Sequence, residues 1–111
     1  MKFESLRPMG PEMEVLDSDE SREALSWTFL VEGTVYYLDI QCSMGEYRPH
    51  LLFRLTSHEM GRFIFDGRSY LSALAEQVRA FPAKYYERNQ PISVQRRVAD
   101  ALASSRVRQR T

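Results

Sequence analysis

Three stretches of the chain alternate apolar and polar side chains with a period of two, and no other feature restricts the fold as much. Leu25, Trp27, Phe29 and Val31 recur at every second position, as do Tyr36, Leu38, Ile40 and Cys42, and then Leu51, Phe53 and Leu55. Successive side chains of an extended chain point to opposite faces, so each set lines one face of a strand. Glu32-Gly33 supplies a tight turn between the first two sets, because glycine tolerates a positive φ, and a hairpin results. The segment RFIFD places Phe63 and Phe65 on the same period and reads as a further strand. It returns through TSHEMG, so residues 51–65 read as a second hairpin. Thr56 and Glu59 have the spacing of a capping box, but Gly61 limits any helix there to a single turn. Upstream, Met13 and Val15 alternate with glutamates, the pattern of a short edge strand, with a flexible arm as the alternative.

After Asp66 the period changes. Asp66-Gly67 turns the chain, Ser69 can cap a first turn, and Leu71, Leu74, Ala75 and Val78 recur at helical spacing. Pro82 either ends that helix or opens a short new one over PAKYYERN, since proline lacks the amide donor yet suits a first turn. Pro91 breaks the chain again, Ser93 is a candidate cap, and Val94, Val98, Ala101 and Leu102 form a last apolar stripe. The expected fold is α+β: an antiparallel sheet of three to five strands in two hairpins, followed by two or three helices packed on one face. Residues 1–22 read as an acidic arm or edge strand, 23–104 as one domain, and 105–111 as a basic tail.

The 111 residues carry 43% hydrophobic and 27% charged side chains, a globular composition. A chain of this length buries about 65% of its extended surface, enough for a core without metal or disulfide. Cys42 is the only cysteine, which fits a reducing, cytoplasmic setting. No apolar run is long enough for a membrane span, and the first residues hold no secretion signal. Thirteen arginines against two lysines are as consistent with a GC-rich genome as with arginine-specific chemistry. The formal net charge of zero hides a gradient. Residues 1–46 hold three basic and ten acidic side chains, net −7, whereas 47–111 hold twelve basic and five acidic, net +7. Such halves attract each other on folding, or else steer a partner; pairing within the chain is the first expectation.

Candidate sites follow from this distribution. Glu12, Glu14, Asp17 and Asp19 form an acidic surface for a basic partner protein, or an edge onto which a partner strand can add. Tyr85 and Tyr86 are neighbours, so one packs inward and the other is left partly exposed, beside Lys84 and Arg88, as interfaces favour. Arg96, Arg106 and Arg110 lie opposite the last apolar stripe, and Arg97 and Arg108 on its flank. These five arginines are the candidate contacts to nucleic-acid phosphates, although solubility and helix-end electrostatics account for them equally well. Cys42 and Ser43 are conceivable nucleophiles, and Cys42 with His50 a conceivable catalytic pair, but no catalytic sequence signature surrounds them. Two histidines and one cysteine lack the ligand spacing of a zinc site, and no phosphate-binding glycine motif is present, so no metal or cofactor is expected.

The sequence therefore points to a small, non-catalytic protein-binding module: a regulator, inhibitor or adaptor. Its partner is another protein, and a homodimer is open because oppositely charged halves or sheet edges can pair between copies. A nucleic-acid-associated protein is the alternative, and a small enzyme built on Cys42 and His50 the second alternative. If residues 1–22 are an arm, their removal weakens partner capture and leaves the fold intact.

Overall fold

Four strands follow one another as an antiparallel meander in the order β1-β2-β3-β4: β1 (Met13–Asp19), β2 (Trp27–Glu32), β3 (Val35–Gln41) and β4 (His50–Arg54). The computed structural model describes residues 12–19, 27–42 and 50–110, the last five through their backbone alone. Leu25, Ser43 and residues 1–11 and 20–22 of the expected arm lie outside the described residues. Three helices come after the sheet: α1 (Ser57–Asp66), α2 (Arg68–Ala80) and α3 (Ile92–Arg110). Two 3-10 turns, Pro82–Lys84 and Tyr86–Arg88, lie between α2 and α3, with Pro82 opening the first. The expected α+β fold, sheet first and helices after, is the observed one.

The register explains the core. Phe29 pairs with Leu38, and Leu38 with Phe53; Trp27 pairs with Ile40, and Ile40 with Leu51. These side chains make one face, covered by Leu71, Leu74, Ala75 and Val78 of α2. The predicted hairpin turn forms at Gly33, with φ of 68°. The opposite face is also apolar, because Leu30, Tyr37 and Leu52 occupy the intervening positions. Leaving any one of them in water would forfeit about 1.5–3 kcal/mol, so that face needs its own cover. Helix α3 supplies it through Val94, Val98 and Ala101, joined by Met13 and Val15 of β1. The helices thus divide between both faces rather than sharing one. Because β1 pairs with β2 along its length and packs under α3, it is part of the body and not a detachable arm.

The second hairpin does not form. Residues 57–66, expected to include a strand, are helical throughout. Thr56 Oγ1 accepts the Glu59 amide at 3.1 Å, and Glu59 Oε1 accepts the Thr56 amide at 2.8 Å. This reciprocal cap starts α1, and the packing of Met60 and Phe63 against the core outweighs the helix-weakening effect of Gly61. Ser69 does not cap α2. Its hydroxyl donates to the Asp66 carbonyl at 2.9 Å, and Gly67, at φ 69°, joins the two helices. Ser93 likewise lies inside the first turn of α3 rather than before it.

Both outer strands have backbone groups taken by side chains or by the connecting chain, a device that discourages strand addition. On β4 the Leu52 amide donates to the Asn89 side chain at 3.0 Å, and the Leu52 carbonyl accepts the Gln90 amide at 2.9 Å. On β1 the Ser18 amide donates to Asp17 at 2.8 Å, and the Ser18 carbonyl accepts from Arg68. A bulge between Val15 and Asp17 further disturbs β1.

Candidate functional site

Two of the charged candidates, Asp17 and Arg97, are held in ion pairs within the chain. Arg97 donates two hydrogen bonds to Glu32, at 2.8 and 3.1 Å, and this pairing holds its guanidinium above its ordinary pKa. Arg68 reaches Asp17 at 3.0 Å and lies 5.2 Å from the centre of the Trp27 ring. His50 Nδ1 stands 3.3 Å from the Asp39 carboxylate, which raises the histidine pKa through that hydrogen bond, against the opposing effect of burial. Each pair joins the acidic N-terminal half to the basic C-terminal half. The gradient read from the sequence is thus used, in these three places, to tie the chain to itself.

The remaining acidic candidates, Glu12 and Glu14, are exposed at the start of β1, and Asp19 stands opposite Trp27. Tyr85 is buried, its ring stacked 5.8 Å from Phe53, whereas Tyr86 is half-exposed, so the two neighbours divide as their angular separation requires. Arg96 is exposed on α3. The backbone of α3 continues through Arg106, Arg108 and Arg110, whose side chains lie outside the described residues.

The structure does not bring Cys42 and His50 together. Cys42 is buried with Leu38, Ile40 and Leu51 on the α2 side of the sheet, and burial raises its thiol pKa. His50 shares the other face with Asp39 and Leu52, as strand alternation demands. Among the described residues no group of three His, Cys, Asp or Glu side chains is placed to hold a metal, and no helix is long and apolar enough to cross a membrane.

What the sequence reading missed lies on α1. At roughly 100° per residue, Phe63 and Phe65 cannot share a side of a helix. Phe63 turns inward, its ring 4.7 Å from that of Phe29, and Glu59 is buried beside the same core. Phe65 then points outward and is 88% exposed, with Ile64 beside it at 78%. Arg62 and Asp66 form an ion pair at 3.2 Å on one flank of this apolar surface. The capping-box spacing of Thr56 and Glu59 was the signal for it: taken as the start of a full helix, it turns RFIFD from a strand into a helical turn with Phe63 inward and Ile64 and Phe65 outward.

No protein-family model, curated protein or solved structure matches this chain.

Proposed function

We propose that the protein is a non-catalytic binding module, a regulator, inhibitor or adaptor of another protein, that docks through the outward face of α1. The observation that carries this reading is the exposure of Ile64 and Phe65 side by side on a capped, well-anchored helix. Burial of each against a partner is worth about 1.5–3 kcal/mol, and large aromatic side chains are the usual anchors of protein interfaces. Cys42 as a buried free thiol is consistent with a reducing, cytoplasmic setting. Nucleic-acid binding is less well supported, since Arg97, one of the five candidate phosphate contacts, already serves Glu32.

The test compares the wild-type chain with Ile64→Ser/Phe65→Ser in parallel affinity purifications from the native host. A stoichiometric protein retained by the wild type and lost by the variant, at unchanged thermal stability, is the expected result. Equal retention by both, or retention of nucleic acid that salt removes, would overturn the reading.

A further inference from the structure

We draw no further inference here: the strongest candidate, the apolar surface patch of Ile64 and Phe65 on the outward side of α1, belongs to the docking site already described, and nothing in the structure shows what covers it.

Discussion

Glu59 joins three parts of the molecule through one carboxylate. It accepts the Thr56 amide that starts α1, and it accepts two hydrogen bonds from Arg88, at 2.9 and 2.6 Å. Arg88 in turn lies 4.6 Å from the Phe53 ring centre and donates to the Arg54 carbonyl, fastening the connection between α2 and α3 to the end of the sheet. Burial pushes the Glu59 carboxyl up, but the hydrogen bonds from Arg88 and Thr56 outweigh it and hold the group below its ordinary value. A folded-state pKa below the unfolded one means stabilisation that is present above the ordinary carboxylate value and lost as pH falls through the lowered one. Glu59→Gln should accordingly cost about 2–3 kcal/mol near neutral pH, because a partly buried guanidinium loses its counter-ion. Urea unfolding curves should show the deficit shrinking as pH drops below the ordinary value of 4.5. His50 has the opposite sign. Its pKa is raised by Asp39, so its modest contribution is full below the ordinary value of 6.5 and fades as pH rises through the raised one. The spacing of Thr56 and Glu59 was legible in the sequence. Arg88, 29 residues further on, was not, because nothing local to it records which carboxylate it will meet.

At the scale of the element, α1 is where local pattern and outcome part. Phe63 and Phe65 fit a strand and a helix equally well as letters, and short apolar runs are ambiguous for that reason. The reciprocal cap at one end and Gly67 at the other decide for the helix, with the Gly67 amide donating to the Phe63 carbonyl at 2.6 Å. Gly67 sits at φ 69° and ψ −146°, a backbone region that residues with a Cβ avoid. Gly67→Ala should therefore cost about 1–3 kcal/mol through strain alone, as open space surrounds the added Cβ. Gly61→Ala, in ordinary helical backbone, should instead raise stability by up to about 1 kcal/mol. Melting temperatures of the two variants, moving in opposite directions, check this pair. Where the helical stripe was long, as with Leu71, Leu74, Ala75 and Val78, all four residues are buried as read.

At the scale of the whole molecule, the sheet has two apolar faces and thus two helical layers. Met13 and Val15 belong to the layer under α3, so the first strand closes that side of the core. Deletion of residues 1–22 should abolish the cooperative unfolding transition, followed by circular dichroism, rather than leave a folded body without its arm. A sharp transition at unchanged temperature would contradict this account. The same organisation disposes of the opposite charges: Glu32 with Arg97 and Asp17 with Arg68 bridge segments 65 and 51 residues apart.

The sequence by itself determined the strands of the sheet, the long helical stripes, the capping box and the Gly33 turn, because each is written within a few neighbouring residues, where backbone geometry sets the period. RFIFD, equally short, reads as a strand and folds as a helix. Only the tertiary structure decided which face each helix would cover, which arginine each carboxylate would hold, that Cys42 and His50 would be separated by the sheet, and that Phe65 would be left outside. Those outcomes depend on segments tens of residues apart competing for the same apolar surface and the same counter-charges, and that competition is settled only when the chain closes on itself.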